Sequence, residues 1–146
     1  MASRNNTQLG RSAIHLIHRA GQCATDVFQN EARPSGVTAR QFAVLAEVAQ
    51  EEGLTQTDLV ERTGIDRSTL ADIVARLIAR GLLHRRRAKN DARAYAIKLT
   101  AQGWKALRDA EPSAAAADSR LLEALSPAKR EEFLDSLERI VSSTRK

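Results

Sequence analysis

Leu54-Thr55-Gln56-Thr57-Asp58-Leu59-Val60-Glu61-Arg62-Thr63-Gly64-Ile65-Asp66-Arg67-Ser68-Thr69-Leu70 holds two helix starts and the stop between them. Thr55, with Asp58 three residues on, opens a short helix through Leu59, Val60 and Arg62, and Gly64 stops it. Asp66 then serves as N-cap for a second helix whose buried stripe is Leu70, Ile73, Val74, Leu77 and Ile78, closed by Gly81. Two capped amphipathic helices joined by a tight glycine turn predict a helix-turn-helix.

Upstream, Thr38 with Gln41 reads as a capping box for a helix carrying Phe42, Val44, Leu45 and Val48, ended near Gly53. Downstream lie two short runs, Leu82–Arg87 and Ala94–Leu99. In the second, Tyr95, Ile97 and Leu99 alternate with Ala94, Ala96 and Lys98, the period of a strand. Ala88–Arg93 between them is the expected hairpin tip. The fold class expected is mainly α, a winged helix-turn-helix with a two-stranded β-wing, flanked by N- and C-terminal dimerisation helices. The expected divisions are 1–37 (N-terminal dimerisation helix), 38–100 (winged DNA-binding domain) and 101–146 (C-terminal dimerisation helices).

Charge falls where this motif needs it. The chain has 146 residues and a net charge of +5, yet residues 76–98 hold eight bases against one acid, Asp91. That segment carries +7 and the rest of the chain −2. A concentrated positive field suits phosphates better than a generally basic surface does. Duplex DNA is therefore the expected partner, since a major groove admits one helix. Arg67, Ser68 and Thr69 are expected to read base edges, with Thr55, Gln56, Asp72 and Arg76 also at the interface. Arg85, Arg86, Arg87 and Lys89 are expected to meet the backbone, and Arg93 the minor groove.

These residues also carry a resemblance. Leu54–Leu59, Asp66–Thr69, Leu77-Ile78-Ala79-Arg80-Gly81-Leu82, the wing's Asp91-Ala92-Arg93, and Leu99-Thr100-Ala101-Gln102-Gly103 together resemble the MarR family of bacterial transcription regulators over nearly the whole chain. The resemblance implies a homodimer joined by its terminal helices, a palindromic operator, and release by a small molecule, often an aromatic acid, or by an oxidant. It also implies that Asp91 orients Arg93 in the minor groove. Two departures stand out. Ala71 and Asp72 sit where the family often has a polar or basic residue, and Ala88-Lys89 replaces a frequent Asp-Pro. An acid at Asp72 can accept from a cytosine amino group or repel phosphate.

The outer segments are amphipathic. Ala13, Leu16, Ile17, Ala20, Cys23, Ala24, Val27 and Phe28 recur at helical spacing, until Pro34 and Gly36 break the pattern. After Thr100 a long helical segment passes Trp104 and Leu107, with Pro112 expected to kink or break it. Ser126-Pro127 starts the last helix, carrying Phe133, Leu134, Leu137, Ile140 and Val141. These segments hold more apolar surface than one small domain covers, which also predicts a homodimer. The family's ligand cavity would draw here on His15, His18, Arg19, Gln22, Arg40 and Phe42, a set suited to an anionic aromatic compound, free or as its coenzyme A thioester.

No Gly-rich phosphate loop, no His-Glu-x-x-His and no cysteine signature is present, so no enzyme activity, cofactor or metal is expected. His15 and His18 lack a third ligand. Two alternatives to ligand sensing stand beside it: a thiol redox switch through Cys23, and an architectural or protein-interaction winged helix. Cys23 shares the face of Leu16, Ala20 and Val27, where a small apolar core residue belongs. The polar first ten residues and the lack of a long apolar run predict a cytoplasmic protein.

Overall fold

The computed structural model describes residues 8–88 and 91–144, with side chains described outside 88–94. Its elements are α1 (Ala13–Ala32), α2 (Ala39–Gln50), α3 (Gln56–Thr63), α4 (Arg67–Ala79), β1 (Leu83–Ala88), β2 (Asp91–Leu99), α5 (Ala101–Leu121) and α6 (Pro127–Thr144). A 3-10 turn, Arg33–Ser35, joins α1 to the loop before α2.

Local chemistry explains the starts and stops. Thr38 and Thr55 each form a complete capping box, with Gln41 and Asp58 returning the bond to the cap's own N–H. Gly64 adopts φ 72°, a left-handed backbone strained for any residue with a Cβ, and its N–H donates to Val60 O. The α3–α4 turn is thereby fixed, which sets the angle between the two helices.

Val44, Leu45, Leu59, Leu70, Val74, Leu77, Leu83 and Ile97 are the largest fully buried side chains, and they come from α2, α3, α4 and both strands. Each such side chain contributes about 1.5–3 kcal/mol on burial. The winged lobe thus has its own core. β1 and β2 pair antiparallel from Leu83↔Leu99 to Ala88↔Asp91, with an irregularity between Arg87 and Ala88. The pairing runs further outward than the apolar alternation, so the expected tip at Ala88–Arg93 contracts. Backbone pairing depends on main-chain N–H and C=O groups and needs no side-chain alternation. Ile97 N–H also donates to Leu54 O at 2.8 Å, tying the start of α3 to the wing.

α5 passes through Pro112 without a break. Proline there removes the bond to the carbonyl of Arg108, but both residues are exposed and water can serve that carbonyl. The alanine run that follows favours helix and buries Ala117. α1 joins this framework mainly through Phe28 and Ala32, which pack with Ala117, and the Phe28 and Phe42 rings lie 5.9 Å apart. Val27 packs beside them half-buried, whereas Leu16 and Ile17 are each 45% exposed, and Cys23 is exposed rather than a core residue. α6 buries none of its side chains. No described helix is long and apolar enough to cross a membrane.

Candidate nucleic-acid interface

Asp66 sets the first turn of α4. Its carboxylate accepts from Thr69 N–H at 2.9 Å and from Thr69 Oγ1–H at 2.7 Å. The Thr69 hydroxyl bond, then its backbone bond and the nearby Arg40 guanidinium, hold the carboxyl below its usual value against a smaller opposing effect of burial. Thr69 consequently differs from its neighbours. It is half-buried and its only hydroxyl hydrogen is committed to Asp66, leaving it an acceptor alone. It shapes the helix start, while Arg67 and Ser68 stand exposed beside it.

The uncovered stripe of α4 runs Arg67, Ser68, Asp72, Ala75, Arg76 and Ala79, opposite the buried Leu70, Ile73, Val74 and Leu77. Arg67 Nη1 donates to Thr57 Oγ1 at 3.3 Å, and Arg76 Nε donates to Asp72 Oδ2 at 2.9 Å. Thr55 is half-buried in its capping box. Gln56 Oε1 accepts from Arg85 Nη2 at 2.9 Å, which docks the wing on α3 and leaves the Gln56 amide hydrogens outward. Arg86 and Arg87 are exposed on β1. The arginines of the wing and of α4 therefore belong to one lobe, and their long side chains can meet one duplex. Lys89 and the side chains of Asp91 and Arg93 lie outside the described residues.

The six residues expected to hold an effector are divided within one chain. His15 is half-buried and His18, Arg19 and Gln22 are exposed on the first half of α1. Phe42 packs at the other end, against Phe28, and Phe28 lies roughly 20 Å beyond His15 along the helix axis. Arg40 is beside Asp66, the N-cap of α4. Two grooves flank the α1–α2 connection instead. One of about 400 Å³ lies between Pro34–Ser35 and Gln102, Lys105, Ala106, Asp109 and Ser113. Another, about 260 Å³, is lined by Gln29, Ala32, Arg33, Gly36, Val37 and Thr38.

Sequence reasoning missed the joint at the end of α4. Arg80 Nη1 donates to Gly36 O at 3.0 Å and to Gln41 Oε1 at 3.4 Å, fastening α4 to the α1–α2 connection. Immediately after it, Thr100 Oγ1 donates to Gly81 O at 2.6 Å and Thr100 N–H to Leu82 O at 3.1 Å. Gly103, the third residue of α5, packs so close that a Cβ would stand 2.0 Å from Leu82 O. A glycine near a helix start was the available signal for this approach. Arg80 carried none, since it counts as one more base in a basic segment.

Comparison with known proteins agrees with this geometry. The MarR family model matches residues 35–94. The transcriptional regulator HosA of Escherichia coli is 30% identical over 135 residues, covering 92% of this chain and 98% of HosA. BpsR of Bordetella bronchiseptica, solved to explain how 6-hydroxynicotinic acid regulates its DNA binding, is 28% identical with a TM-score of 0.88, covering 96% of this chain and 99% of that one. The repressor CouR on a 23-mer DNA duplex is 28% identical with a TM-score of 0.84, over 92% of this chain and 95% of that one. CouR from Rhodococcus jostii RHA1 is also known bound to p-coumaroyl-CoA. With the winged lobe, its exposed basic stripe and a 30% identical relative matched along nearly its whole length, the chain belongs to the MarR family of DNA-binding transcription regulators.

Proposed function

We propose that the chain is a ligand-responsive repressor that binds a palindromic operator as a homodimer and leaves it when a small anionic aromatic compound binds, as the free acid or its coenzyme A thioester. The observation that carries this reading is the division of its surface. Arg67, Arg76 and Arg85–Arg87 lie on the winged lobe, while Leu16, Ile17, Phe133, Ile140 and Val141 stand exposed on the outer helices. Charge in the first place suits phosphates, and apolar area in the second suits a second copy. Pairing two copies also sets the recognition helices about one DNA turn apart.

The anionic character of the effector rests on His18 and Arg19, whose side chains stand exposed one after the other on α1, Arg40 being apart from them beside Asp66. Relatives of similar fold respond to or bind aromatic acids or their thioesters, as BpsR and CouR do. A thermal-shift screen of aromatic acids and their coenzyme A thioesters, followed by operator release, tests the reading. His18→Ala and Arg19→Ala are expected to weaken release while operator affinity stays within about threefold, since both lie on α1 away from the winged lobe, and a tenfold release needs only about 1.4 kcal/mol of differential affinity. Unchanged release in both variants would place the effector elsewhere. The two grooves beside Pro34 and Arg33 are then the next sites to mutate.

A further inference from the structure

We propose that Asp72 is a positioning residue for Arg76 and that the pair reads one guanine in each operator half-site. This rests on the regulator reading above and specifies its recognition chemistry. An acid on the groove-facing stripe opposes binding to phosphates, and an exposed ion pair adds little to stability. The pair is exposed, with Arg76 and Asp72 side chains at 71% and 62%. Its reason for being there is more plainly recognition than folding.

The geometry fits that role. Arg76 gives its inner donor, Nε, to Asp72 Oδ2 at 2.9 Å. Among the described residues no other partner engages the guanidinium, so the Nη1 and Nη2 donors remain for DNA. Helical side chains lean back toward the N-terminus, and the acid one turn earlier enforces that lean. The guanidinium is thus held over the preceding turn, toward Arg67 and Ser68, instead of swinging out to a phosphate beyond the end of the helix. Its stripe neighbours Ala75 and Ala79 are only methyl groups, so the helix can approach base edges closely and Arg76 is the polar side chain with reach there. A planar fork with two parallel donors matches guanine O6 and N7.

The test begins with operator selection from a random duplex pool using the full-length wild-type chain. The selected site and versions with each guanine replaced are then titrated against wild type, Asp72→Ala, Arg76→Ala and the double variant at several salt concentrations. Wild type is expected to prefer guanine about tenfold at one position per half-site. Arg76→Ala and Asp72→Ala should each abolish that preference, and the double variant should lose no more than Arg76→Ala alone. Asp72→Ala should bind scrambled DNA as well as wild type or better. If Asp72→Ala strengthens binding to all sequences with the guanine preference intact, the acid only repels and the proposal is overturned. A uniform loss in Arg76→Ala, with the salt slope reduced by about 0.9, makes Arg76 a phosphate contact and overturns it too. If wild type selects no consensus, the repressor reading itself falls, and this proposal with it.

Discussion

The winged lobe and the outer helices are built from similar residues to different ends. In the lobe, leucines and valines at helical and strand spacing meet one another, and Leu45, Leu59, Leu70 and Leu77 reach 0% exposure. In α1 and α6 the same spacing leaves Ile14 at 71%, Ile140 at 48% and Val141 at 58%. Periodicity identifies an apolar face but says nothing about what covers it. One region completes its core within the chain, whereas the other offers a surface that only another molecule can complete.

Several substitutions would break or sharpen this contrast. Leu45→Ala removes a fully buried side chain from the lobe and is expected to cost about 2–5 kcal/mol, read as a shift in urea midpoint at constant slope. Ile140→Asp leaves the lobe intact but places a charge on the uncovered face. It should raise the dimer dissociation constant about a hundredfold, or about 2.7 kcal/mol, by light scattering across a dilution series. An unchanged dissociation constant would show that α6 faces solvent in the working protein. Gly103→Ala tests the junction between the two regions. Its Cβ meets backbone at Leu82 O, so a loss of about 1–3 kcal/mol in thermal unfolding is expected.

A smaller effect concerns pH at the start of α4. Asp66 has its carboxyl held below its ordinary value of 3.8, so the unfolded chain takes up its proton first as pH falls. The stabilisation from its charge is fully present above about 3.8 and is lost as pH drops through the lower folded value. Asp66→Asn keeps a cap acceptor but not the titration. The melting-temperature gap between wild type and Asp66→Asn should therefore stay constant from neutral pH to about 5 and shrink below 4. The smallest effect is at the wing, where Arg86→Ala should leave stability unaltered and reduce the salt slope of operator binding by about 0.9.

Much of the lobe was legible because its signals are local. Thr38, Thr55, Asp66 and Gly64 act on backbone groups within four residues, and each does in the structure what its position requires. That Arg67 and Ser68 stand exposed was legible for the same reason. Contacts between distant segments were not. The bond from Ile97 to Leu54 and those from Arg80 to Gly36 and Gln41 depend on which elements the fold brings together, and no spacing in the chain announces them. Thr69 was expected to read base edges, and its residue type tells of a hydroxyl but not that Asp66 engages the hydroxyl hydrogen. The placement of the effector set was least legible. Residues from α1 and α2 were grouped by family precedent, and in one chain His15 and Phe42 sit near opposite ends of α1.

The joint at Arg80, Gly81 and Leu82 makes the winged lobe a lever with its fulcrum at the C-terminal end of α4, because buried Leu70, Val74 and Leu77 hold that helix in the lobe's core and it turns with it. α4 runs from Arg67 to Ala79, so Arg67 stands roughly 20 Å from the fulcrum at about 1.5 Å per residue. The fulcrum is gripped from two sides, by Arg80 on the α1–α2 connection and by Thr100 with Gly103 at the start of α5. A tilt of about 6° imposed there sweeps the Arg67 end through roughly 2 Å. Hydrogen bonds to base edges tolerate only a few tenths of an ångström, so that sweep is enough to break them. A small rotation of the outer helices would thereby be magnified at Arg67 and Ser68, the exposed residues of α4's first turn.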